Sequence, residues 1–182
     1  MPIRLVRGDI TRFPADAIVN AANPELTPGG GVCGAIHHAA GPSLAMECDL
    51  VSKWHGILSP GEAVATGSGD IVGARRIIHA VGPVWRGGMQ NEPETLANAY
   101  RASIEAADEL GLRTIAFPSL STGIYGYPIE LAAPVAVRSV RVALARANSV
   151  REATFVLFDA DTYAAFERAL AEQQRDDPAT GV

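Results

Sequence analysis

The stretch "TIAFPSLSTGIYGYP", residues 114 to 128, decides the architecture. Its first four residues show no alternation of polar and apolar side chains, which suits a strand covered on both faces, and a glycine-rich loop follows directly. The run "TFVLF", 154 to 158, has the same character. Outward from these, strands are expected at Ile3 to Val6, Ala17 to Asn20, Gly61 to Thr66, Arg76 to Val81, Thr114 to Pro118 and Thr154 to Phe158. Helical stretches lie between them: "GAIHHAAG" (34 to 41), Pro42 to Trp54, "PETLANAYRASIEAADELG" (93 to 111) and "PIELAAPVAVRSVRVALARAN" (128 to 148). The third has proline near its start and Gly111 just past its end, as helix ends prefer. A last helix is expected from Asp161, as N-cap, to about Gln173. Strands alternating with helices imply an α/β/α sandwich, with ligands bound at the carboxyl ends of the strands.

The chain has 182 residues, a length suited to one domain spanning 1 to 173, with a tail from 174 to 182 that should fray. With 48% hydrophobic and 19% charged residues the composition is globular. No apolar run approaches the roughly 20 residues that span a bilayer, and the amino terminus lacks the apolar core of a signal peptide, so a cytoplasmic protein with no membrane partner is expected. Two cysteines, Cys33 and Cys48, are too few for a disulfide framework. Net charge is -5 and Lys53 is the only lysine, which argues against nonspecific nucleic-acid binding by counterion release. A single phosphorylated ligand held by backbone amides remains open, and a monomer is expected because no exposed apolar helix face is obvious.

Residues 23 to 41, "NPELTPGGGVCGAIHHAAG", formally match G-x-G-x-x-G at Gly29, Gly31 and Gly34. A dinucleotide fingerprint needs a strand running straight into the glycines and an acid ending the next strand. Here "NPELTP" intervenes, and Glu47 and Asp49 lie in a helical segment, so a dehydrogenase is disfavoured. Glycines here can still turn successive N–H groups toward an anion, assisted by the positive end of the following helix. A second loop of this kind follows "TIAF", where Ser121 and Thr122 offer hydroxyls, Gly123 and Gly126 allow close approach, and Tyr125 offers a ring. Two such loops at strand ends suit a diphosphate; each by itself could equally be a tight turn.

Taken together, "GDIT" (8 to 11), "DAIVNAAN" (16 to 23), "GGGVCGAIHHAAG" (29 to 41), "GEAVATG" (61 to 67), "IIHAVGP" (77 to 83) and "PSLSTGIYGYP" (118 to 128) resemble the ordered signatures of macrodomains of the MacroD-type branch. The resemblance extends from Ile3 to about Phe166. It implies a three-layer α/β/α fold with a mixed central sheet of about six strands and a cleft for ADP-ribose. It also implies hydrolysis of mono-ADP-ribosyl groups from acidic side chains of modified proteins, and of O-acetyl-ADP-ribose. ADP-ribose would be ligand and product, no cofactor or metal is implied, and the partners would be ADP-ribose and ADP-ribosylated macromolecules. By this resemblance Asp9 accepts from the adenine amino group beside the backbone of Ile10, and Phe158 stacks on adenine. Asn23 bonds the distal ribose while Asn20 ties down backbone. Gly29, Gly30, Gly31 and Val32, with Ser121, Thr122, Gly123, Ile124 and Tyr125, embrace the diphosphate.

One departure stands out. Where the MacroD-type pattern has aspartate after its glycines, ten residues beyond the ribose-binding asparagine, this chain has Cys33. Cys33 and His37, four apart at a helix start, could form a thiolate pair, though no third residue orients His37. Zinc lacks any C-x-x-C or H-E-x-x-H spacing in its support. A third possibility makes Cys33 a small lining residue, with a water positioned by the loops and His37 as proton acceptor if it faces the cleft. Asn23, Cys33 and His37 are therefore the catalytic candidates. A reader that binds without turnover, and a hydrolase acting on ADP-ribosylated nucleic acid, are the alternatives.

Overall fold

The structure, a computed structural model, describes residues 3 to 175. Six strands, β1 (Ile3–Arg7), β2 (Ala17–Ala21), β3 (Ala63–Gly67), β4 (Arg76–Ala80), β5 (Thr114–Phe117) and β6 (Glu152–Leu157), form one sheet in the order β1-β6-β5-β2-β4-β3. All neighbours are parallel except β3 and β4, so the sheet is mixed, as expected. Five α-helices cover it: α1 (Gly31–Ala40), α2 (Pro42–His55), α3 (Glu92–Glu109), α4 (Ile129–Arg146) and α5 (Ala160–Arg175).

The period of two along each strand builds two cores, which explains why the strands read as continuously apolar. Ala17, Val19, Ile78, Ile115, Phe117 and Phe155 face α3, α4 and α5, where Tyr100 and Phe166 complete an aromatic cluster. Ile18, Ile77, Ala116 and Val156 face the other way, under Ile36 and Ala40 of α1 and Leu44 and Cys48 of α2. On that second face the alternation also buries polar side chains, among them Asn20 and His79, paired across β2 and β4.

Most boundaries shift by a residue or two from the sequence reading: β3 begins at Ala63 and not Gly61, and β6 runs Glu152–Leu157, which leaves Phe158 just outside it. Three further differences lie in the helices. Helix α1 begins at Gly31, not Gly34, so the glycines themselves supply its first turn. The cap of α5 is Asp159, whose carboxylate accepts from Thr162 N (2.8 Å) and the Thr162 hydroxyl (2.9 Å); Asp161 already lies within the first turn. Helix α5 continues through Arg175, two residues into the expected tail, and residues 176 to 182 lie outside the described residues.

Candidate functional site

A cleft of about 570 Å³ crosses the carboxyl edge of the sheet from β1 and β6 to β2 and β4. The volume lies in the range of pockets that enclose small ligands. Asp9, Ile10, Asn23, Gly29 to Cys33, Ser121 to Tyr125 and Phe158 all line it; His37 does not.

At the β1/β6 end, Asp9 follows β1 and caps a short 3-10 helix (Ile10–Arg12). Its Oδ1 accepts from Thr11 N (2.9 Å) and from the Thr11 hydroxyl (2.7 Å). Oδ2 faces only the exposed Arg12 guanidinium, 4.0 Å away, and keeps acceptor capacity. Phe158 directly follows β6 and is 80% exposed, so it is no core residue. Asp159 beside it also lines the cleft, its carboxyl held below the usual range chiefly by the N–H of Thr162.

In the middle, the two glycine loops approach one another. Gly30 caps α1 with no side-chain bond, leaving the first-turn N–H groups without intrahelical acceptors. A Cβ on Gly30 would lie 2.9 Å from Ile124 Cδ1 of the second loop, so the loops touch across the cleft. A Cβ on Gly34 would lie 2.5 Å from the Gly29 carbonyl, which explains why glycine is needed one turn into the helix. In the second loop Ser121 adopts φ 66°, and the chain closes through Gly126 N to Gly123 O (3.0 Å) and Tyr127 N to Ser121 O (2.9 Å). The Thr122 hydroxyl turns back to Ser119, 2.8 Å from its Oγ.

At the β2/β4 end only Asn23 of the two asparagines lines the cleft, and Asn20 does not tie down backbone as expected. Asn23 ties down backbone, its Nδ2 donating to Thr27 O (2.8 Å) and its Oδ1 accepting from Thr27 N (3.0 Å). Asn20 is fully buried and binds no backbone; Nδ2 donates to Cys33 Sγ (3.6 Å) and His79 Nδ1 (3.1 Å). That donor leaves the proton of His79 on Nε2, directed at the Thr66 hydroxyl (2.9 Å), which in turn donates to Gly67 O. Burial holds His79 far below its ordinary value, at about 3, so the ring is neutral. Cys33 completes the chain, its thiol donating to Thr27 O at 3.7 Å.

His37 is buried one turn deeper, 6.4 Å between ring centroids from His79, with Nε2 unpartnered and its pKa lowered by burial. Facing the sheet and not the cleft, it is poorly placed to take a proton from a bound ligand. Cys48 closes the network from α2, 3.8 Å from His79 Nε2, its thiol pushed up to about 11 mainly by burial. Among the described residues no three of His, Cys, Asp and Glu converge as metal ligands. Tyr125 is half-buried, its hydroxyl pKa raised by burial and then by Glu25 and Cys33.

Sequence reasoning missed Gly8, Gly82, Ser119, Asp159 and Thr162, all of which line the cleft. Gly82 was legible only as part of "HAVGP": a Cβ there would lie 2.1 Å from Ser121 Oγ, a contact between loops 39 residues apart.

The Macro domain family model matches residues 19–136. The chain belongs to the macrodomain family. An O-acetyl-ADP-ribose deacetylase of Cronobacter turicensis is 49% identical over 170 residues, covering 93% of this macrodomain and 96% of that protein. One of the same name from Klebsiella pneumoniae is 51% identical over 167 residues, covering 92% and 95%. Among solved structures, the Oceanobacillus iheyensis macrodomain with ADP superposes with a TM-score of 0.88 at 40% identity, covering 95% of this macrodomain and 92% of that chain. The Trypanosoma brucei macrodomain in complex with ADP-ribose gives 0.83 at 37% identity, covering 93% and 69%. Among the described residues no helix is long and apolar enough to cross a membrane.

Proposed function

We propose that this macrodomain binds ADP-ribose along the cleft and hydrolyses its esters, O-acetyl-ADP-ribose and mono-ADP-ribosylated acidic side chains, without an acid at position 33. The observation that carries this is the order of groups across the cleft: an exposed aromatic and a carboxylate acceptor at one end, two touching backbone-amide loops in the middle, and Asn23 with Tyr125 at the other. Adenine, diphosphate and distal ribose present the complementary chemistry in the same order. The names of the bacterial relatives support the ester reaction.

Hydrolysis adds water across the ester, giving ADP-ribose and the free acid. The loops' contribution is to hold the diphosphate and a water beside the distal ribose; such positioning alone supplies several kcal/mol of barrier lowering. Asn23 is pre-set by Thr27 and needs only to exchange part of that bonding for a ribose hydroxyl. Cys33 lines the wall with its proton committed to Thr27 O, which favours the lining role over a thiolate nucleophile.

A specific observation favours the reader as second reading: the carboxylates lining the cleft, Asp9 and Asp159, both sit at the β1/β6 end, far from the distal ribose. The test measures release of acetate from O-acetyl-ADP-ribose and of ADP-ribose from a glutamate-modified protein and a modified DNA oligonucleotide, with calorimetry of free ADP-ribose. Turnover on the esters that is kept in Cys33→Ala and raised in Cys33→Asp is the expected result. Tight binding with no release makes the protein a reader; loss of turnover in Cys33→Ala brings the thiol itself into the chemistry.

A further inference from the structure

Helix α2 carries two apolar stripes, and the fold buries one. Leu44 and Cys48 enter the core, while Met46, Leu50 and Trp54, spaced four apart on the opposite side, are 69%, 55% and 91% exposed. Ile57, just past the Gly56 cap, extends the stripe at 69% exposure. Together these four exposed side chains leave several hundred Å² of apolar surface in water, the scale of a monomer's largest patch. The expectation of a monomer rested on seeing no such face, and the structure has one.

We propose that this face of α2 is the interface of a two-fold homodimer, formed by antiparallel packing of α2 on the same helix of a second copy. Two features select a second copy as occupant. The first is area: the stripe and its exposed flanking residues approach the ~800 Å² that each partner contributes to a standard interface. The second is charge. Asp49 and Lys53 are exposed on one flank of the stripe, four residues apart. A two-fold axis perpendicular to the helix, crossing it near Val51, returns that flank to the same side with its direction reversed. Each Lys53 then lies opposite Asp49 of the partner subunit, so the chain's only lysine stands where a self-complementary surface needs a cation. Glu47, on the other flank, does not interfere, because its carboxylate is turned inward onto Gly67 N at 2.7 Å. Trp54 would be the central anchor, the residue type most enriched among interface hot spots.

The face also lies next to the cleft wall without being part of it. The Ser52 hydroxyl donates to Glu25 O (3.2 Å) and Leu58 N to Pro24 O (3.0 Å), which fastens α2 to the turn that carries Asn23. The inference stands on the helix face alone and holds whatever the cleft binds.

Sedimentation equilibrium of the full chain over a wide concentration range tests it. The expected result is a monomer–dimer equilibrium in the micromolar range, accompanied by a blue shift of Trp54 emission as dimer forms. The only other tryptophan, Trp85, packs against Tyr127 with ring centroids 4.5 Å apart and reports no change. Trp54→Glu should raise the dissociation constant roughly 100-fold or more, as loss of a hot-spot anchor does. Both residues changed at α2 are exposed, so circular dichroism should show the fold intact in Trp54→Glu and Leu50→Glu. Lys53→Glu and Asp49→Lys should each weaken the dimer, and the double charge swap should restore it. A chain that stays monomeric into the millimolar range overturns the proposal, as does a dimer indifferent to Trp54→Glu. Charge swaps that fail to compensate overturn the antiparallel register.

Discussion

Phe158→Ala separates a ligand-binding ring from a structural one with little ambiguity. The ring is 80% exposed at the end of β6, so the unliganded protein gains almost nothing from it, and its removal should leave stability within about 0.5 kcal/mol. With adenine stacked on one face, roughly 60 Å² of ring leaves water, worth about 1.5 kcal/mol at ~25 cal/mol per Å². Offset stacking adds about 0.5–1.5 kcal/mol. The sum, about 2–3 kcal/mol, corresponds to a 30- to 150-fold rise in Kd for ADP-ribose by calorimetry, roughly. Ribose 5-phosphate lacks the base, so its weaker binding should not change, and Phe158→Trp should retain or improve ADP-ribose binding. A Kd within twofold of the parent, at unchanged melting temperature, would refute adenine stacking at Phe158 and with it the orientation of the ligand in the cleft.

Gly123→Glu should fold normally, because a Cβ there meets nothing within 4 Å, yet abolish both ADP-ribose binding and turnover by placing a carboxylate against the diphosphate; retained binding would move the diphosphate elsewhere. Gly34→Ala should lower stability by about 1–3 kcal/mol, several degrees in Tm, because the new methyl group meets the Gly29 carbonyl, and it should weaken the ligand as well by displacing that loop. Stability should fall as pH drops from about 6.5 toward 4.5, by up to about 1.4 kcal/mol per pH unit from His79. His79 is protonated near 6.5 when unfolded but only near 3 when folded, so the unfolded chain alone takes up the proton; His37 adds in the same direction. The lowered carboxyls of Asp16, Asp108 and Asp159 act with the same sign but only below about pH 4, so denaturant unfolding at pH 7 and 5 isolates the histidines, and His79→Gln should flatten the slope.

The strands were legible because burial on both faces leaves an apolar run that no surface element shows, and the ends of α3 because Pro93 and Gly111 mark them. The strand order was not, since nothing local in β1 indicates that it pairs with β6 at a separation of 150 residues. The same limit explains Asn20: its partner His79 lies 59 residues away, and only the sheet register brings them together. For Cys33 and His37 the spacing showed that they share a face of α1, but only packing shows that Cys33 reaches the cleft while His37 meets the sheet. Helix α2 is the converse case. Both of its stripes have helical period, and which one is buried depends on where α1 and β3 stand.

The second glycine loop shows how the core maintains a geometry that the loop alone would not keep. Ser121 is held at φ 66°, a left-handed conformation unfavourable for a residue with a side chain, and its hydroxyl is buried without a partner. Such strain, of order 1–3 kcal/mol, persists only where the surroundings over-determine it. Here they do. On one side Leu120 N is fixed by the hydroxyl of Tyr100, a fully buried side chain of α3 packed on Phe117 and Phe155. On the other, Tyr127 N donates to Ser121 O and the Tyr127 ring packs at a tilt against Trp85, whose backbone N–H donates to Tyr125 O. Gly82 has no side chain because Ser121 Oγ occupies that space. The loop is therefore held in shape by the core before any ligand arrives, and Ser121 to Tyr125 line the cleft at the cost of strain and an unsatisfied hydroxyl. Relaxing it with Ser121→Gly would remove the strain but restore backbone freedom to the loop, so affinity should fall even if the melting temperature does not.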